Sequence, residues 1–164
     1  MLRARALFLD DANTYGCAEV TLISLQEHFA LSPAADSSPA MALNGGVGYS
    51  GGVCGAITGA ALVAGRLAGG FLPDHAAAKR EARRLVQELM QGFTEEFGSV
   101  DCRTLTGYDL LAPGQHQAFI DSGVWRQGCM RQIEFAVGRL ARLVEGAARA
   151  PGVPSPPGSG NAGD

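Results

Sequence analysis

Apolar residues recur every three or four positions along most of the chain, and no stretch alternates with a period of two. Ala18, Leu22, Leu25 and Phe29 fall on one face of a helix predicted over 12–30, with Asp10 and Asp11 as its candidate N-caps. A second helix is predicted from about Val53 to Leu67. A third, over 74–97, is opened by Pro73 and Asp74 and stopped by Gly98. On it Ala82, Leu85, Leu89, Phe93 and Phe97 share a face, while Arg80, Arg83, Glu88 and Glu95 read as solvated surface. A short helix is predicted within 99–107 and a last main helix over 128–148, where Cys129, Ile133, Ala136, Val137, Leu140 and Val144 face inward. Residues 1–9 read as a lead-in, 31–40 as a Pro- and Ser-rich loop, 41–43 as a short turn, and 108–123 as irregular with a helical turn or two. No internal repeat is present. The pattern predicts an all-α fold: a small bundle of about four main helices with a glycine-rich loop before the second. One domain spans 1–148, and a Pro/Gly/Ser-rich tail over 149–164 is expected to be disordered.

Composition narrows the function. Hydrophobic residues make up 46% of the 164, enough for a core. The net charge is −3 and the basic residues are interleaved with acids, so a nucleic-acid footprint is not expected. The opening MLRARALFLDD has too short an apolar run for a secretion signal, and Val53–Leu67 is too short to span a bilayer and contains Arg66. No membrane insertion is expected, and the chain reads as soluble and cytoplasmic. In a reducing compartment its four cysteines point to redox cycling, catalysis or metal binding rather than permanent crosslinks.

Those cysteines are Cys17, Cys54, Cys102 and Cys129, separated by 37, 48 and 27 positions. None forms a CxxC knuckle. Each belongs to a different predicted element, and each lies near a predicted helix start, where the partial positive charge and free N–H groups lower a thiol pKa. Around Cys54 the chain reads GGVGYSGGVCGAITG. Glycines before the cysteine permit positive φ and bring backbone close, so Gly51 and Gly52 are candidates to cradle its sulfur with N–H groups. Gly55 and Gly59, with Ala60, leave one side of the second helix small enough for another helix to approach. The same stretch fits GxGxxG at Gly46, Gly48 and Gly51, and GxSxG at Ser50, but no strand precedes it, and no Gly-Lys-[Ser/Thr] follows. His28, His75 and His116 are scattered and read as surface residues. Arg103 beside Cys102 reads as half of an exposed ion pair or as a thiolate partner. Tyr49 and Trp125 are candidates to shield the sulfurs from water.

CGAITG at 54–59 resembles the C-GCAxxG-C-C family of redox-active proteins with four characteristic cysteines. FTEEFGSVDCRTLTG at 93–107 is similar to that family's third-cysteine segment, and GCAEVTLISL at 16–25 and CMRQIEFAV at 129–137 to its first and last. The order at 54–56 is Cys-Gly-Ala, where the family's name spells Gly-Cys-Ala. The resemblance implies that Cys17, Cys54, Cys102 and Cys129 are the functional positions, with Gly55 and Gly59 in support. Several chemistries stay open. The four sulfurs converge on an iron–sulfur cluster, [2Fe–2S] or [4Fe–4S]; or they exchange thiols and disulfides; or they hold structural zinc. The bland alternatives are inert buried cysteines and a non-enzymatic accessory protein. A redox partner protein is expected for the first two, and a homo-oligomer is compatible with all.

Overall fold

The structure, a computed structural model, describes residues 2–10, 12 and 14–148; the expected tail over 149–164 lies outside them. Its helices are α1 (Leu2–Phe8), α2 (Cys17–His28), α3 (Gly55–Phe71), α4 (His75–Phe97), α5 (Cys102–Thr106), α6 (Gln115–Ser122) and α7 (Met130–Ala148). A 3-10 turn at Ser38–Leu43 precedes the glycine loop, and a π turn at Trp125–Cys129 runs directly into α7. No strand forms among the described residues; Val53 and Asp101 make an isolated antiparallel bridge. The all-α expectation holds. No helix among the described residues is long and apolar enough to cross a membrane.

α2 and α3 form the centre. α2 is buried on almost every side from Ala18 to Gln26, and the polar Glu19, Thr21, Ser24 and Gln26 are buried along with its apolar residues. α3 presents Ala56, Ile57, Ala60, Val63, Ala64 and Leu67 to the core, and packs mainly on α2 and α4. Its small residues let backbones touch: a Cβ added at Gly59 would land on the Ala18 carbonyl oxygen of α2. The close approach expected from Gly55 and Gly59 is therefore present. α4 packs on α3 and α7, burying Leu85, Leu89 and Phe93, and α7 closes the bundle with Met130, Ile133, Ala136 and Leu140. Each such side chain contributes about 1.5–3 kcal/mol by leaving water.

Local chemistry sets the ends of α4 where the sequence placed them. The Asp74 carboxylate accepts from the N–H groups of Ala76 and Ala77, at 3.4 and 2.8 Å. Gly98 closes the helix in the left-handed conformation, φ 79°. Other boundaries differ. The first main helix starts at Cys17, not near 12, because Gly16 is its N-cap and donates its N–H to the Glu19 carboxylate, 2.9 Å. Asp10 lies outside the helix, and Asp11 is outside the described residues. The lead-in is itself the helix α1. It buries Ala4 and Phe8 and is tied down by paired contacts of Arg3 with Glu27 on α2 and Arg5 with Glu134 on α7.

Candidate functional site

The four cysteines come from four separate places. Cys17 is the first residue of α2, Cys54 the N-cap of α3, and Cys102 the first residue of α5. Cys129 ends the π turn, one turn inside a continuous helical run rather than at a helix start as expected from the sequence. A short backbone stitch joins the middle pair. Cys54 N–H donates to the Val100 carbonyl at 2.8 Å, Cys102 N–H to Gly52 at 2.7 Å, and Arg103 N–H to Gly51 at 3.0 Å. Cys17 reaches the same region because Gly55 has no side chain: a Cβ there would fall on the Cys17 sulfur.

One cavity of about 80 Å³ is lined by Cys17, Cys102 and Cys129, together with Phe8, Phe119 and Trp125 and, at its mouth, Tyr49 and His116. Cys54 does not line it. Its buried sulfur points to the Gln132 side-chain oxygen, 3.6 Å away. The aromatic wall is ordered: Trp125 donates its indole N–H to the Ile120 carbonyl at 3.2 Å and meets the Phe8 ring edge-on at 5.6 Å. Tyr49 sits edge-on to His116 at 5.3 Å. His116 is exposed, as expected of a surface residue, and borders the cavity. His28 instead faces Glu145, and His75 is exposed at the start of α4. Arg103 pairs with Asp109 at 2.8 Å and is absent from the cavity wall.

Burial raises the pKa of all four thiols, and it outweighs the lowering expected from helix starts. Cys17 has the strongest opposing pull, from backbone N–H groups of Gly45, Ala18, Cys17 and Gly55. After burial, a charge on Cys17 is the next cause that raises Cys54, Cys102 and Cys129, so the four groups lie within electrostatic reach of one another. Cys102 is pushed up to about 11, and Cys54 well above its ordinary value.

The glycine loop differs in detail from the expected cradle. Gly45 through Tyr49 are five successive residues at positive φ, between 61° and 79°, and form a left-handed turn. L-residues other than glycine resist this conformation, which accounts for the glycine-rich composition. The turn brings Gly45 beside Cys17, where its backbone N–H lowers the thiol pKa against the effect of burial. Gly51 and Gly52 present their carbonyls to the start of α5, and the backbone N–H that lowers the Cys54 pKa is that of Ala56. Sequence reasoning missed Asn44 and Glu19, both buried beside Cys17. The only local signal was the Gly16-x-x-Glu19 spacing, which matches a capping box without its capping side chain.

Among the described residues, no three Cys, His, Asp or Glu side chains are arranged to hold one metal ion. The sequence model of the family described as "putative redox-active protein (C_GCAxxG_C_C)" matches residues 15–143. The chain belongs to this C_GCAxxG_C_C family. The match contains all four cysteines and every residue lining the cavity except Phe8. The family's small residues after the second cysteine have a steric reason here, since Gly55 and Gly59 each leave room for α2. Neither the curated proteins nor the solved structures give a match.

Proposed function

We propose that the chain is an electron-transfer protein whose Cys17, Cys54, Cys102 and Cys129 together hold one iron–sulfur cluster, and that it passes electrons to a partner protein in the cytoplasm. The observation that carries this reading is that Cys17, Cys102 and Cys129 line one cavity with aromatic rings and no Lys or Arg, while Cys54, outside its wall, lies within electrostatic reach of all three. Buried thiolates need a positive counterpart. Protons supply it in the free thiols, and iron supplies it in a cluster. A single zinc ion needs its sulfurs about 2.3 Å from one point, whereas a cluster spreads its ligands over several irons. When bound, a cluster stores and releases single electrons. The chain's own part is to donate N–H groups to the Cys17 and Cys54 sulfurs and to exclude water with Phe8, Phe119 and Trp125.

Thiol–disulfide exchange is the second reading, favoured by Cys17 as the one cysteine that is not fully buried. Its thiolate would attack a disulfide of the partner, forming a mixed disulfide and releasing the partner's other sulfur as a thiolate. Cys102, on losing its proton, would then displace the partner, leaving one disulfide here and two thiols there. Anaerobic purification and reconstitution with iron and sulfide separates the two. A visible charge-transfer band with iron and acid-labile sulfide, lost in each Cys→Ser variant, supports the cluster. A colourless, metal-free protein whose free-thiol count falls by two on oxidation supports exchange. One bound zinc and no redox change overturns both.

A further inference from the structure

α2 begins with its first N–H groups free, and its N-cap Gly16 has no side chain to satisfy them. Asn44 does so from 26 residues away: its Oδ1 accepts from Ala18 N–H at 3.0 Å. The other end of the amide donates from Nδ2 to Glu19 Oε2 at 2.9 Å and to the Met41 carbonyl at 3.1 Å. A carboxylate and a carbonyl only accept and a backbone N–H only donates, so the amide has one permitted orientation. Glu19 is buried and held in turn by Gly16 N–H at 2.9 Å and Ser37 Oγ at 3.0 Å. The oriented Oδ1 lies 4.0 Å from the Cys17 sulfur. The next residue, Gly45, opens the left-handed turn and lines the same cavity as Cys17. A Cβ on Gly16 would fall on the Asn44 amide, so positions 16 and 44 compete for one volume.

We infer that Asn44, aimed by the buried Glu19, is a positioning residue that caps α2 in place of Gly16 and fixes the Cys17 sulfur against the glycine turn. Its meaning for redox chemistry rests on the function proposed above; the capping itself does not.

Three full-length variants test it: Asn44→Ala, Gly16→Asn and the swap Gly16→Asn/Asn44→Ala. Gly16 has φ −79° and ψ 175°, which an asparagine adopts freely, and asparagine is a favoured N-cap. The readouts are the thermal midpoint and the alkylation rate of Cys17 relative to Cys102 in the reduced, metal-free protein, resolved by peptide mass. Asn44→Ala lowers the midpoint and speeds Cys17 alkylation about fivefold, the change in local opening that losing one cap brings. Gly16→Asn alone also lowers the midpoint, because it crowds Asn44. The swap restores both readouts to within about twofold of the parent. Unchanged Cys17 alkylation in Asn44→Ala, a midpoint in Gly16→Asn at or above the parent's, or a swap no better than Asn44→Ala overturns the inference. Should Asn44→Ala fail to fold, the swap decides: a folded swap supports the assignment and an unfolded one overturns it. A parent chain that takes up no cluster and forms no disulfide sinks the redox reading and leaves these results standing.

Discussion

Gly59→Ala and Gly65→Ala make the same chemical change on the same helix, and opposite outcomes are expected. In a helix interior alanine is favoured over glycine by about 0.5–1 kcal/mol. At Gly65, exposed with nothing within 4 Å of the new methyl, that gain is realised in full. At Gly59 the methyl falls on the Ala18 carbonyl oxygen, with Ala18 C and Thr21 Cβ at 3.1 Å. The obstruction is backbone of a buried helix, so no side chain can swing aside. Overpacking of this kind costs about 1–3 kcal/mol or more, and subtracting the helix-propensity gain leaves a net loss of roughly 1–2 kcal/mol. For a chain of this size each kcal/mol moves the melting midpoint by about 2–4 °C. The Gly65→Ala midpoint should therefore rise by about 1–4 °C, and that of Gly59→Ala should fall by roughly 2–8 °C. Thermal and urea unfolding of the reduced, metal-free chain, followed by helical circular dichroism, measures both. A Gly59→Ala midpoint at or above the parent's would show that α2 and α3 do not touch there, and the placement of Cys17 beside Gly55 would go with it.

Gly55→Ala puts a methyl on the Cys17 sulfur, with Ala18 N at 3.0 Å; it should lose most of its iron in reconstitution while keeping its helical content, and full iron uptake refutes the contact. Val47 is half exposed at φ 63°, where a β-branched residue is strained, so Val47→Asn should stabilise the fold by about 1 kcal/mol in urea unfolding. Alkaline pH should unfold the reduced, metal-free protein. Burial raises the folded-state pKa of all four thiols above 9.0, Cys102 to about 11, so their contribution is complete below pH 9 and is lost as pH rises through the folded values. The slope is about 1.4 kcal/mol per pH unit for each thiol within its window. A urea midpoint that stays flat between pH 8 and pH 10.5 contradicts this.

Elements whose boundaries are set by their own residues were readable in the sequence. Asp74 and Gly98 bracket α4, and the stripe from Cys129 through Val144 gave the inner face of α7. The start of α2 was not readable, because its cap comes from Asn44 across the fold and Asp10–Asp11 offered a plausible local substitute. α1 spans seven residues, two turns, too few to establish a period, and its hold on the bundle depends on Glu27 and Glu134 far along the chain. At the site, the residue types were legible and their pairing was not. Gly51 and Gly52 neighbour Cys54 in sequence, yet their carbonyls accept from Cys102 and Arg103, while the backbone groups that lower the Cys17 pKa include those of Gly45 and Gly55. Backbone donors serve whatever the fold brings to them, and sequence distance carries little of that information.

The competition between helix ends and burial decides how such a site can be charged. A helix terminus favours an anion by about 0.3–1 kcal/mol. For Cys102, moving from 9.0 to about 11 corresponds to roughly 3 kcal/mol against the thiolate, several times the helix contribution. That shift already includes repulsion from a charge on Cys17, its second cause after burial. Four ionised sulfurs therefore cannot persist in this pocket on helix ends and glycine N–H groups alone. On the proposed reading, the same burial that keeps the empty site protonated makes iron binding proton-coupled: each thiolate that ligates iron releases a proton at neutral pH. Iron uptake should then strengthen as pH rises from 6 to 8.5, in the range where the metal-free fold is still fully stable.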